Sequence, residues 1–187
     1  MTAEALPTAP PPTGWTVADL EKLPENGLRF ELVDGVPVVM TPAKRLHNRA
    51  QRRLADTLEA AAPEGFLVDE NVGVILAPDQ RPIPDVVVLC GIADDDSRAN
   101  YPAESVALAS EIVSRSSRAD DRFRKPAQYA EAGIGVYLRV ELDPLHVVAY
   151  EIGEDGLYVE VARAEPGQQL RLARPFPVSF DPAVLLK

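Results

Sequence analysis

The chain has a single cysteine, Cys90, in 187 residues. That excludes an intrachain disulfide and a four-cysteine zinc site within one chain. No window approaches 18 uninterrupted apolar residues, so no transmembrane helix and no membrane partner are expected. No basic segment followed by an apolar stretch opens the sequence, so no secretory signal is expected, and a cytoplasmic location is the simplest expectation. Positive charge is scarce as well: 19 Lys and Arg stand against 29 Asp and Glu, a net charge of −10. Taken alone, that argues against a nucleic-acid partner, because phosphate binding wants a basic surface. Lysine is scarcest, with Lys125 one of only four.

The distribution of the basic residues qualifies the charge argument. Residues 44–53 hold Lys44, Arg45, Arg49, Arg52 and Arg53 and no acid. Residues 115–125 hold Arg115, Arg118, Arg122, Arg124 and Lys125, against Asp120 and Asp121. If the two segments meet, an acidic protein carries one basic face; if not, they are two solvated helix surfaces. The length and 46% apolar content suit one domain with a sizeable core. Residues 1–14, with Pro7, Pro10, Pro11 and Pro12, read as a flexible tail, and 15–187 as a single domain.

Hydrophobic periodicity orders the rest. Thr16 and Asp19 fit a capping box opening a short helix. Two strand-like runs flank Asp34-Gly35, a strong hairpin signal. Residues 44–61 repeat Leu46, Ala50, Leu54, Leu58 and Ala61 at helical spacing, with His47 inside the apolar arc and the arginines opposite. Strand signals follow at 66–76, 84–90 and 105–113; the Asp94-Asp95-Asp96 run between the last two reads as a solvated turn. A helix is expected at about 120–132, then strands at 135–142, 146–152, 157–163, 169–173 and 176–180. This order predicts a mixed α/β (α+β) domain rather than regular βαβα alternation.

Two acids stand out. Asp85 in Ile83-Pro84-Asp85-Val86-Val87-Val88 and Glu111 in Ala109-Ser110-Glu111-Ile112-Val113 sit at or inside β-forming apolar runs. A carboxylate there is costly to desolvate unless something pairs with it. Two such acids on neighbouring strands make a hard-cation site, and Mg²⁺ prefers one or two carboxylates plus water and phosphate oxygens. Pro84 cannot donate to a ladder and belongs at a strand start, so 84–90 and 105–113 are expected as sheet neighbours with an antiparallel return.

Phe30-Glu31-Leu32-Val33-Asp34-Gly35, His47, Pro84-Asp85, Glu111-Ile112-Val113-Ser114, and Lys125 before Tyr129-Ala130-Glu131-Ala132-Gly133 together resemble the Uma family of restriction-endonuclease-like proteins, in the PD-(D/E)XK nuclease superfamily. The resemblance covers roughly residues 15–160. It implies a restriction-endonuclease-like central mixed sheet flanked by helices, here with extra β-hairpins. It implies Asp85 and Glu111 as ligands of Mg²⁺, with Mn²⁺ as a substitute, and a DNA substrate. The superfamily lysine two residues after the second acid is replaced by Val113; the resemblance moves its role to Lys125. His47 and Glu31 also match family positions. The implied activity is metal-dependent endonucleolytic hydrolysis of DNA, and cutting both strands with one site per chain favours a homodimer. The competing functions are a catalytically inactive binding or assembly module of the same fold and a hydrolase of a smaller phosphate substrate. Each residue has a plain structural alternative: Asp85 as a strand-start turn, Glu111 and Glu31 on solvent faces, His47 in the core, and Lys125 in a surface i,i+4 pair with Asp121. Arg115, where the family commonly has proline, the strand end Tyr137-Leu138-Arg139-Val140, which lacks the tryptophan often seen there, and Pro126 beside Lys125 depart from the family pattern.

Overall fold

The structure is a computed structural model that describes residues 14–23, 28–92, 98–114 and 117–187. The proline-rich segment, the Asp94–Asp96 run and Arg115 lie outside the described residues. In chain order the elements are α1 (Val17–Leu20), β1 (Phe30–Val33), β2 (Val36–Val39), α2 (Arg45–Glu59), β3 (Phe66–Glu70), β4 (Gly73–Ile75), β5 (Val86–Cys90), β6 (Asn100–Pro102) and β7 (Val106–Val113). A π-helical turn (Asp120–Arg124) then leads into α3 (Lys125–Glu131), followed by β8 (Val136–Leu142), β9 (Leu145–Ile152), β10 (Tyr158–Ala164), β11 (Leu170–Leu172) and β12 (Val178–Phe180).

The architecture is mixed α+β around one six-stranded sheet, ordered β10-β9-β8-β7-β5-β3. β5 and β7 are antiparallel neighbours, with Val86 opposite Ser110 and Val87 opposite Ala109. β7 and β8 are the one parallel pair in this sheet, placing Glu111 opposite Arg139 and Val113 opposite Glu141. A parallel return needs a crossover, and the π turn with α3 supplies it. Side chains alternate across a strand. Val86, Val88, Leu108 and Ile112 therefore pack in one cluster with Ala50, Leu54 and Leu58 of α2. Val87, Leu89 and Ala109 pack on the other face with Tyr129 of α3 and Tyr137. Asp85 and Glu111 share the parity of this second face.

Local differences from the sequence reading have physical causes. The run 66–76 is two strands, because Asn71 takes a left-handed φ of 59° and turns the chain. Its second part, β4, pairs in parallel with β6, too short to show a period in sequence. The helix at 120–132 is π-helical in its first part, where the Lys125 N–H bonds the Asp120 carbonyl. Pro126 has no N–H to continue an α-helical ladder there. In α2, Leu46 is 44% exposed, and Gln51 takes a buried place instead. The Thr16–Asp19 capping box forms at α1. The β1–β2 hairpin turns at Asp34 and Gly35, both at positive φ. It is tied down by Leu32, which exchanges backbone bonds with Arg81 at 3.0 and 2.9 Å. That tie aims Glu31 toward the start of β5.

Candidate functional site

The centre gathers at one edge of the second sheet face. Asp85 precedes β5, and its Oδ2 accepts the Ile112 N–H at 2.7 Å. Its own N–H reaches the Ser110 carbonyl at 3.0 Å, so the aspartate bridges to β7. Gln51 of α2 donates to the Asp85 carbonyl at 3.0 Å, fixing the backbone from the opposite side. His47, in the first turn of α2, brings Nε2 to 3.3 Å from Asp85 Oδ2. Burial works against charge on this imidazole, but the Asp85 carboxylate outweighs it and raises the pKa above the ordinary histidine value.

Lys125 organises the other half. Its Nζ lies 2.9 Å from Glu31 Oε1, 3.0 Å from Glu111 Oε1 and 3.9 Å from Asp121 Oδ1. The lysine is only 6% exposed, so it is not a surface residue paired with Asp121 alone. Burial opposes its charge, yet Glu111, Glu31 and Asp121 together raise its pKa, and the ammonium stays protonated. Glu31 Oε1 also accepts the Ile83 N–H at 3.1 Å, which fixes that carboxylate between hairpin and sheet. Glu111 Oε1 accepts the Tyr129 hydroxyl at 2.6 Å.

The acids outnumber the cations. Glu31, Asp85, Glu111 and Asp121 face Lys125 and the titratable His47. Burial drives the Glu111 pKa well above the carboxylate range; Lys125 opposes this, while Asp121 and Asp85 add to it. Burial also pushes Asp121 up to about 6, against the pull of Lys125. Asp121 Oδ2 accepts from Ser117 Oγ, whereas Oδ1 is buried without a hydrogen bond.

All five residues singled out in sequence, Glu31, His47, Asp85, Glu111 and Lys125, meet in this region. Val113, at the position expected to carry lysine, is a buried apolar residue. Asp121, Gln51 and Tyr129 join without having been chosen as site residues. A helical signal for them exists. Asp121, Lys125 and Tyr129 are successive i,i+4 positions, as are His47 and Gln51, and such residues share a helix face.

Comparison with known proteins gives the family and the fold. A family model, Uma2, described as "Putative restriction endonuclease", matches residues 17–185. The chain belongs to the Uma2 family. No curated protein sequence matches it. Among solved structures, a crystal structure titled as a "putative nuclease belonging to DUF820" from Anabaena variabilis is similar with a TM-score of 0.69. It is 14% identical, and the match covers 91% of this chain and 97% of that one. That likeness shows a shared fold. Within this Uma2 member no helix among the described residues is long and apolar enough to cross a membrane.

The donor set can be tested against the divalent metal that the superfamily implies. Among the described residues no three His, Cys, Asp or Glu side chains form a ready-made metal cluster. Hard cations of the Mg²⁺ type need only one or two protein carboxylates. Asp85 and Glu111 each commit one oxygen, Oδ2 and Oε1, to protein donors. Their second oxygens form no hydrogen bond among the described residues. With the negative excess around them, the residues fit such an ion.

Proposed function

We propose that this chain is a Mg²⁺- or Mn²⁺-dependent endonuclease that hydrolyses DNA phosphodiester bonds, with residues 15–187 acting as one domain in the cytoplasm. The observation that supports it best is the buried negative excess at the meeting point of β5 and β7, with one permanently charged lysine inside it. Asp85 and Glu111 would hold the ion, which when bound polarises phosphate oxygens and lowers the pKa of coordinated water. Tyr129 and Lys125 fix one oxygen of Glu111 and so present the other. The Ile112 N–H does the same for Asp85.

Lys125 cannot act as a general base, because three carboxylates hold its proton. Its role is a fixed point charge that stabilises the phosphorane-like transition state or orients the attacking water. Glu31 acts on Lys125, holding the ammonium from the side away from β7. His47, whose Nε2 lies 3.3 Å from Asp85 Oδ2, is placed to pass a proton to a departing oxygen. Lys44 and Arg45, exposed in the same turn as His47, begin a basic approach to the site. A two-fold dimer would bring two such centres to one duplex.

A second reading, a non-catalytic module, draws support from Lys125 itself, which already neutralises part of the acid cluster. One experiment separates the two. Mg²⁺ and Mn²⁺ titrations followed by calorimetry, with cleavage assays on single- and double-stranded DNA, are run on the parent and Asp85→Asn. The expected result is metal binding and cleavage by the parent. Both are lost in Asp85→Asn, with an unfolding midpoint close to the parent's. Metal binding unchanged in Asp85→Asn removes the assignment, and a parent without cleavage on any DNA leaves the module.

A further inference from the structure

Beside this centre two guanidinium groups converge on one buried carboxylate. Glu141 of β8 is 3% exposed. Arg122 Nε donates to its Oε1 at 2.8 Å. Arg139 Nε lies 3.3 Å from the same oxygen but forms no hydrogen bond. Burial opposes ionisation of Glu141, but the two arginines outweigh it and hold its pKa below the ordinary value. The group therefore carries two fixed positive charges and one negative.

A tie between the crossover helix and the sheet would need one arginine, and the second is a surplus. The guanidiniums are also largely unspent. Each has five N–H donors. Among the described residues Arg122 uses one of them in a hydrogen bond and Arg139 uses none. Arg139 is nonetheless held in place, its guanidinium 5.3 Å from the centre of the Tyr150 ring. Both side chains are reachable, at 34% and 16% exposure. Their position matters most. Arg139 is in register with Glu111 on the adjacent parallel strand, on the same sheet face, and strands are about 4.8 Å apart. Arg122 directly follows Asp121.

We propose that Arg122 and Arg139, oriented by Glu141, form an anion subsite that takes a backbone phosphate of the substrate strand next to the phosphate that is cut. The subsite rests on the phosphodiester reading above. A planar guanidinium fork matches two phosphate oxygens at once, and a carboxylate behind it removes the entropy of aiming it. Glu141 is a positioning residue and touches no substrate.

The test is DNA affinity against salt. A fluorescently labelled oligonucleotide is titrated with the full chain carrying Asp85→Asn, so that no cleavage intervenes, over roughly 50–200 mM KCl. Adding Arg139→Gln is expected to weaken binding about tenfold and to flatten the log K against log salt slope by about 0.7–0.9, the signature of one lost phosphate contact. Arg122→Gln should act in the same direction, and it is the safer variant for folding because its side chain is one-third exposed. Glu141→Gln keeps both guanidiniums and should keep the slope while weakening binding a few-fold; an affinity equal to the parent's would leave Glu141 no part in aiming them. Slopes and affinities equal to the parent's in both arginine variants overturn the subsite and leave a structural tie. DNA that fails to bind even without these changes overturns the phosphodiester reading and the subsite with it.

Discussion

Glu111 and Glu141 sit on neighbouring strands, on the same sheet face, and each is 3% exposed. Their ionisation is nevertheless pushed in opposite directions. Glu141 has two arginines to itself and is held ionised. Burial raises the Glu111 pKa, and the single lysine that opposes it is shared with Glu31 and Asp121, while Asp121 and Asp85 add to the rise. Both are closed off from solvent, but Glu111 lies deeper in the protein, and charge balance differs as well. A buried acid is therefore not by itself a sign of chemistry. The informative feature is a buried acid whose surroundings leave it under-compensated, because an arriving cation completes it. By that criterion β7 carries the candidate metal centre, and β8 carries a cation-rich group suited to anions.

The largest expected effect comes from the lysine that half-balances the acids. Lys125→Ala leaves Glu31, Glu111 and Asp121 together without a cation. Breaking such a buried group costs about 3–5 kcal/mol, read by chemical denaturation at pH 8. Lys125→Arg keeps the charge, but a guanidinium is larger and geometrically fixed. It should keep the fold and lose about 100-fold or more in cleavage rate, the usual scale for a displaced transition-state charge. A silent Lys125→Arg in a cleaving enzyme would make the lysine a neutralising group only, and the difference between the two strands would then be one of stability.

Next in size is a pair of opposite pH dependences. Asp121 is raised from 3.8 to about 6. Between those values the folded chain binds more protons than the unfolded one, so stability falls as pH rises through the window. The penalty is complete above about pH 6 and is on the order of 2–3 kcal/mol. Asp121→Asn should therefore gain stability at pH 8 and converge with the parent below about pH 4. Glu141 behaves in reverse. Its lowered pKa contributes stability above the unfolded value, about 4.3, and that contribution is lost as pH falls through the folded value. Glu141→Gln should cost about 1–3 kcal/mol at pH 8, the smaller figure reflecting the solvent-screened Arg122, with the gap closing under acid. Urea denaturation of both variants at pH 4, 6 and 8 reads the two signs. Equal signs would end the contrast between the strands.

The sequence showed the two acids of β5 and β7 because carboxylates are conspicuous among valines and leucines, whereas Lys125 came from the family resemblance, which moves the lysine role there from Val113. The neighbouring of 84–90 and 105–113 followed from a proline at a strand start and a loop long enough to return. Asp121 escaped because it looks like an ordinary helix-surface acid. Its burial depends on the π turn, which the sequence signals only through Pro126. Gln51 escaped although it lies four residues after His47, because its partner is a backbone carbonyl from another element. The fate of the basic segments was also hidden. Arg49 and Arg53 donate to the carbonyls of Leu186 and Lys187 at 3.1 and 3.2 Å, contacts far apart in sequence. Two arginines of the apparent basic face of α2 thus reach the chain end, while Lys44, Arg45, Arg52 and Arg53 are exposed.

The smallest effect separates two tyrosines. Tyr129 donates its hydroxyl to Glu111 Oε1 in a fully buried bond of 2.6 Å. Tyr150 offers its ring to Arg139 and stacks on Tyr137, with centroids 5.9 Å apart. Deleting each hydroxyl therefore asks different things of similar residues. Tyr129→Phe removes a donor that favours ionised Glu111, so the Glu111 pKa should climb further and Mg²⁺ affinity should fall about 10-fold, as for other groups that orient a metal ligand. The stability change should be near 1 kcal/mol, because Lys125 still occupies the same oxygen. Tyr150→Phe keeps the ring face that the guanidinium uses and should stay within about 0.5 kcal/mol, with metal affinity unchanged. Calorimetric Mg²⁺ titration of both variants at pH 8 makes the measurement. Equal affinities for the two would mean that Lys125 alone sets the state of Glu111, and the tyrosine beneath it would be a packing residue like its counterpart under Arg139.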